Sequence, residues 1–334
     1  MANAPPLVVI VGAESLLGRE VRDAIESEHI PARVKLISAE EREPGEAILA
    51  RHEEEAVLMA SLEAAELKGA KAVLLAGAPE SSEKAMQLAS GPGAPLLIDV
   101  SGALDDKPAV RIRAPMVEEA AESAPIYVIA HPAAIVLALF LRRLAKTGGI
   151  RRVVAQIFEP VSERGQKGID ELQQQTVGLL SFQKLKKDVF DTQVSFNLLP
   201  QYGSEAATKL EDVETTIERH LVTLLATEPG IPMPSFRVAH APVFHGYSFS
   251  IWVEFESRPE VEHIAGALAA ARIEVRTGEE EPPSNVGAAG QSGITVGAIA
   301  HDRNDPRGCW FWVVADNLRI VAENAAEVLR EALG

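Results

Sequence analysis

The apolar pattern of the chain opens with a continuous β-branched run over residues 7–11, the mark of a strand buried on both faces. A turn follows over 12–18 and a helix over 19–26. Short apolar runs recur at 34–37, 72–76, 96–100 and 127–130 and predict further strands. Helical patterns lie at 81–89, with Ser81 or Ser82 as the cap, and at 135–144. Residues 46–68 mix helix-forming and strand-forming pieces that the pattern does not separate. Strands alternating with helices at this spacing predict a parallel, doubly wound α/β sheet with right-handed crossovers.

The tempo changes after residue 150. Residues 152–158 and 249–255 alternate apolar and polar over long stretches, and 310–314 adds another strand. Helical periodicity covers 170–185 and 209–225, and an amphipathic helix covers 317–333. The acidic, proline-rich and glycine-rich stretch 279–291 reads as an exposed loop. This half therefore predicts a mixed or antiparallel sheet with helices on one face.

Composition narrows the function. In 334 residues, 47% are hydrophobic and 24% charged, which is globular composition with room for two domains. The net charge of −16 makes nucleic acid and anionic membranes poor partners. A single cysteine, Cys309, excludes an internal disulfide and any thiolate-rich metal site, and fits a reducing, cytoplasmic setting. Cys309 itself reads as a core residue. The apolar stretch 126–141 is broken by His131 and Pro132 and falls short of the roughly 18–20 residues of a membrane helix. The opening Met-Ala-Asn-Ala-Pro-Pro lacks the basic region of a signal peptide.

The first candidate chemistry is Gly12-Ala-Glu-Ser-Leu-Leu-Gly18, set between a strand and a helix. Glycines there permit a tight turn and bring backbone N–H groups at a helix start close to a pyrophosphate. Ser15 replaces the middle glycine, and Glu14 places a carboxylate where the phosphates would sit. After the second strand comes Ser38-Ala-Glu-Glu-Arg42. Glu40 and Glu41 favour NAD and Arg42 favours NADP, because an acid takes a ribose hydroxyl and a cation takes a 2′-phosphate.

A second signal, Asp316-Asn-Leu-Arg319, brings in a resemblance. The chain resembles the aspartate-semialdehyde dehydrogenase family and, more narrowly, its Usg-type paralogues. The similarity runs through 12–18, Ile98-Asp-Val-Ser-Gly-Ala103, Ile129-Ala-His-Pro132 and Ser162-Glu-Arg-Gly165. It continues through Ser195-Phe-Asn-Leu-Leu-Pro-Gln201, Pro242-Val-Phe-His-Gly-Tyr-Ser248 and 310–319. The resemblance implies a Rossmann-type dinucleotide-binding domain, residues 1–130 plus 316–334, with an inserted α+β dimerisation and catalytic-type domain, 131–315. It also implies a homodimer. NAD or NADP would rest on Gly12, Ser15, Leu16, Leu17, Gly18, Ser38, Arg42, Gly77 and Asn317.

Active members use a cysteine thioester, a histidine that moves the proton, and arginines that hold carboxylate and phosphate. Each position departs in this chain. The nucleophile falls on Ala134, whose methyl group cannot form a thioester. The histidine falls on Tyr247, a poor base with an ordinary pKa of about 10. The substrate arginine falls on His240, and the phosphate-binding arginine on Asp105, which inverts the charge. The active-site glutamine before the family's Ser-Gly-Ala-Gly loop falls on Glu159, and the lysine after Asp-Asn-Leu-Arg on Ile320.

This pattern points to a member that has lost the dehydrogenase chemistry. The alternative is an active nicotinamide oxidoreductase on an aldehyde or keto substrate, with Tyr247 or His245 as proton donor. His245 is the substitute candidate because two residues along a strand keep one face. The resemblance also places His131, His240 and His245 near one cleft, where scattered imidazoles without a metal are expected. An active dehydrogenase paralogue is a further candidate partner.

Overall fold

The structure is a computed structural model and describes residues 4–39, 48–52, 55–118, 123–278 and 280–334. The chain divides into two compact units, Met1–Ala130 with Val321–Gly334, and His131–Ile320. The helix Asn317–Leu333 contributes its first turn to the second unit and the rest to the first.

The first unit carries strands β1 (Leu7–Val11), β2 (Arg33–Ser38), β3 (Ile48–His52), β4 (Glu55–Ser61), β5 (Ala72–Leu75), β6 (Leu96–Asp99), β7 (Val110–Arg113) and β8 (Ile126–Ile129). They form one sheet in the order β3-β4-β2-β1-β5-β6-β8-β7. All pairs are parallel except β3 with β4. Val9, Val11, Val73, Leu75, Leu97 and Val128 pack on one face against Leu67, Ala85 and Leu104. Val8 and Ile10 are equally buried on the other face, as a continuous apolar run requires. The order turns at β1, whose neighbours are β2 and β5, and so creates a switch point at the carboxyl ends of these strands.

The helix Pro79–Leu88 starts ahead of the serines, with Ala78 as its cap residue and Pro79 at N1. Proline suits that position because its fixed φ is helical and its missing N–H would lack a partner anyway. Ser81 sits in the first turn and donates to the Ala78 carbonyl at 2.7 Å. The ambiguous stretch 46–68 contains the β3–β4 antiparallel pair and the helical turn Ala64–Leu67.

The second unit carries β9 (Ile150–Glu159), β10 (Ser235–His240), β11 (Tyr247–Phe255), β12 (Ile273–Val275), β13 (Ile294–His301) and β14 (Gly308–Ala315). Their order is β10-β9-β11-β14-β13-β12, with the two edge pairs parallel and the inner pairs antiparallel. One face is sealed by Ile157, Phe249, Ile251, Phe311 and Val313, and the buried helix Pro132–Leu144 rests on it, Phe140 meeting Phe311 edge-on with ring centres 5.1 Å apart. Cys309 belongs to this buried face. The other face presents Val154 and Trp310, each 43% exposed, beside Phe158 and Trp312.

The helix expected at 170–185 spans Gly165–Leu180, so it starts five residues earlier and ends sooner. Glycines at 165 and 168, poor helix formers, disguise its start. The stretch read as an exposed loop includes the turn Asn285–Ala288, with Pro283 and Ala288 buried. Among the described residues no helix is long and apolar enough to cross a membrane.

Candidate functional site

In the first unit the glycine loop sits at the switch point. Gly12 adopts φ +81°, and a Cβ there would run into the backbone of Gly77. A Cβ on Gly18 would strike the Gly12 carbonyl. These are the tight-turn and close-packing roles that a dinucleotide fingerprint assigns to glycine. Ser15, in place of the middle glycine, caps the helix Leu16–Ser27: its hydroxyl accepts from the Gly18 N–H and donates to the Ala76 carbonyl, both at 2.8 Å. The N–H groups of Leu16 and Leu17, at the helix start, have no intrahelical acceptor and face outward along the helix axis.

Glu14 departs from expectation. Its carboxylate does not stand over the helix start but is turned to the end of β2. There Oε1 accepts from Ser38 Oγ at 3.0 Å and from the Ala39 N–H at 2.8 Å. Two donors outweigh a site facing solvent. Glu40, Glu41 and Arg42 lie outside the described residues. Asp105 lies in this unit, in the turn after β6. The same turn is organised by buried Asp99, which accepts from Ser101 N–H at 2.8 Å and Leu104 N–H at 2.8 Å. Burial pushes the Asp99 carboxyl above its ordinary range, against those hydrogen bonds.

The second unit gathers most of the other candidate residues around one buried polar cluster. Ala134 is fully buried in the first turn of the helix Pro132–Leu144. A cysteine at a helix start would have its thiolate favoured by the dipole, and a methyl group makes no use of it. His131 caps this helix through Nδ1, which accepts from the Ala133 N–H at 3.2 Å, while the backbone N–H of His131 donates to His220 Nδ1 at 2.8 Å. Burial, followed by His220 and Arg164, holds His131 down at about 3, so the ring is neutral. Its edge faces Tyr247, with ring centres 5.9 Å apart.

Glu159, at the end of β9, is fully buried. It accepts two bonds from Arg164 Nη2, at 3.0 and 2.9 Å, one from Tyr202 at 2.8 Å and a longer one from Tyr247 at 3.4 Å. Burial works against the Arg164 charge, but Glu159 outweighs it and the guanidinium stays charged. Burial raises the hydroxyl of Tyr247 well above its ordinary value, and Glu163 and Glu159 add to that. Tyr247 is therefore a protonated donor and no base at neutral pH. Glu163 is pushed up to about 7, first by burial and then by Glu159, against Arg164 and hydrogen bonds from Asn317 and Tyr247.

Asn317 ties the cluster together. Its Nδ2 donates to Glu163 at 2.6 Å and to Ser162 Oγ at 3.0 Å, while Oδ1 accepts from the Gly246 N–H at 2.9 Å. Asp316 caps the last helix by accepting from the N–H groups of Leu318 and Arg319. Ile320 is fully buried and apolar. His240 is fully buried at the end of β10, with Nε2 3.3 Å from the Val194 carbonyl and Nδ1 without a partner among the described residues. Burial lowers it to about 4, with Arg164 adding to the fall and the Val194 bond opposing it. The loop carrying Val194 is anchored by buried Glu171 and Gln175, whose side chains bind backbone groups between Lys186 and Ser195.

His245 stands apart from this cluster. It lies in the bend ahead of β11, so the strand argument for a shared face with Tyr247 does not hold. Asn285 fixes that bend by donating to the carbonyls of His245 and Gly246 at 3.3 and 2.6 Å. Among the described residues no three His, Cys, Asp or Glu side chains gather as a metal site needs. The thiol of Cys309 is pushed up to about 11 by burial, with Asp302 adding to it.

Glu163 and Arg164 are the residues that sequence reasoning passed over. They lie inside a segment quoted for its similarity, Ser162-Glu-Arg-Gly165, at the two positions where the resembled loop has glycine and alanine. Two charged residues in place of two small ones was the available signal.

A Rossmann-type unit with a glycine loop, joined to a mixed-sheet unit with a polar cluster at its strand ends, defines the class of two-unit dehydrogenase folds. Comparison with known proteins makes that particular. The family description "Semialdehyde dehydrogenase, dimerisation domain" matches residues 141–320. The chain is 28% identical to a "USG-1 protein homolog" of Pseudomonas aeruginosa, over 99% of this chain and 98% of the other. A solved "probable aspartate-semialdehyde dehydrogenase" from Pseudomonas aeruginosa superimposes with a TM-score of 0.82 at 27% identity, covering 98% of each chain. An aspartate-semialdehyde dehydrogenase with NADP from Candida albicans shares the fold, with a TM-score of 0.64 at 15% identity over 98% of each chain. The chain belongs to the semialdehyde dehydrogenase family.

Proposed function

We propose that this chain is a Usg-type paralogue of aspartate-semialdehyde dehydrogenase that has lost the thioester chemistry. The observation that carries the reading is that Ala134, on which the resemblance puts the nucleophile, is a buried methyl group at the start of a helix. Arg164, the cation of the cluster, spends its charge on Glu159, which takes two hydrogen bonds from its Nη2. His131 and His240 are neutral, and Tyr247 is held protonated. The test is aspartate semialdehyde with phosphate and NADP or NAD, followed by absorbance. No reduction is expected. Turnover abolished by Tyr247→Phe or His245→Ala overturns the reading.

A second reading, an aldehyde or keto reductase with Tyr247 as proton donor, draws on Glu163, which burial and then Glu159 push up to about 7 and which interacts with Tyr247. It predicts an activity with a pH midpoint near 7 that Glu163→Gln removes.

Dinucleotide binding belongs to the proposal. Gly12, Gly18 and Gly77 supply the close backbone approach, and the N–H groups of Leu16 and Leu17 would hold the pyrophosphate. When bound, a nicotinamide dinucleotide supplies hydride transfer. The further parts of the proposal are a cytoplasmic homodimer and, as a variant, a mixed dimer with an active paralogue. The homodimer is supported by the name of the matching family description and by the apolar outer face of the mixed sheet, with Val154, Phe158, Trp310 and Trp312. Co-purification with the active paralogue tests the mixed dimer.

A further inference from the structure

We propose that Glu14, supplied by the glycine loop itself, selects the dinucleotide: it accepts an unsubstituted adenosine ribose, as in NAD, and rejects a 2′-phosphate, as in NADP. The proposal rests on the reading that the first unit binds a dinucleotide.

In doubly wound sheets the adenosine ribose lies beside the carboxyl end of β2. An acid there takes the 2′-hydroxyl, or a cation takes the 2′-phosphate. The acid ordinarily comes from the strand. In this chain a carboxylate reaches the same place from the loop after β1. Its Oε1 accepts from Ser38 Oγ at 3.0 Å and from the Ala39 N–H at 2.8 Å, at the point where β2 ends. Its Oε2 is buried and has no hydrogen-bond partner among the described residues. Glu14 as a whole is only partly buried, so a small turn of its side chain brings that oxygen, which still lacks a donor, to a ribose hydroxyl, a donor of the right kind.

A 2′-phosphate meets the opposite conditions. It brings negative charge to within hydrogen-bond distance of a carboxylate, and like charges in contact discriminate strongly. The two donors it would use, Ser38 Oγ–H and the Ala39 N–H, are already occupied by Glu14. The nearby cation among the described residues does not change this. Arg19 directs its guanidinium at the Glu14 carbonyl oxygen, at 3.1 and 2.9 Å.

The experiment is calorimetric titration of the full chain and of Glu14→Gln with NAD and, separately, NADP, with thermal unfolding to check that both proteins are folded. Glutamine keeps an acceptor for the Ala39 N–H and removes the charge. The native chain is expected to bind NAD at least about tenfold more tightly than NADP. Glu14→Gln is expected to bring the two within about threefold, chiefly by tighter NADP binding. Equal or tighter NADP binding by the native chain overturns the proposal, as does an unchanged ratio in a folded Glu14→Gln. Should the variant not fold, the native ratio alone decides. Binding of neither dinucleotide up to millimolar overturns the underlying reading and the proposal with it, and differs plainly from binding without preference.

Discussion

Arg164 Nη2 lies 3.0 and 2.9 Å from the two carboxylate oxygens of Glu159, a residue with no exposed surface. The guanidinium also stands over the ring of Tyr202, 5.8 Å from its centre. Removing one partner of such a buried pair leaves the other charged and unpaired. Arg164→Ala is expected to destabilise the chain by about 3–5 kcal/mol. Glu159→Leu with Arg164→Met, which removes both charges, is expected to cost clearly less. Urea unfolding of the variants checks this.

The titrating groups set a pH dependence with two sides. Glu163 is pushed up from its ordinary 4.5 to about 7, by burial and then Glu159. The stability it contributes is complete below about 4.5 and is lost as pH rises through about 7. His131 and His240 are lowered from 6.5 to about 3 and about 4, by burial first. Their contribution is present above 6.5 and is lost as pH falls through those values. Glu163→Gln is therefore expected to flatten the loss on the alkaline side and leave the acid side unchanged. Urea midpoints between pH 3 and 9 read both limbs.

Restoring the thiol alone is expected to restore nothing. Ala134→Cys places a sulfur at a helix start, but Tyr247 is protonated and Arg164 is bound to Glu159. Phosphate-dependent oxidation of aspartate semialdehyde should stay at background in an absorbance assay.

Cys309 is buried in the sheet face, and burial holds its thiol at about 11. The native chain should react with a thiol reagent slowly or not at all at neutral pH, and stoichiometrically once unfolded.

The outer face of the mixed sheet presents Val154 and Trp310, each 43% exposed. A charge in the middle of a self-complementary apolar face is not tolerated. Val154→Glu should sediment as a monomer with unchanged circular dichroism, if that face joins two copies.

The parallel sheet was legible because its inner strands are short apolar runs with both faces buried, as at Val8–Val11. Edge strands were not. Val110–Arg113 and Ser235–His240 are half-exposed and alternate too briefly to rise above the loops around them. The glycine loop was legible in its backbone but not in its side chain. Nothing local to residue 14 tells that its carboxylate meets two donors contributed by Ser38 and Ala39. In the polar cluster, Ala134, Glu159, His240 and Tyr247 were named because each replaces an expected residue. At Arg164 the charge in place of a small residue gains its meaning only from Glu159, and partners are a property of the fold.

The mutual dependence of Glu159 and Arg164 makes the two positions change as a unit or at a cost. A change of Glu159 to glutamine strands a buried guanidinium, and a change of Arg164 to a small residue strands a buried carboxylate. Each single substitution therefore costs stability that the paired substitution spares.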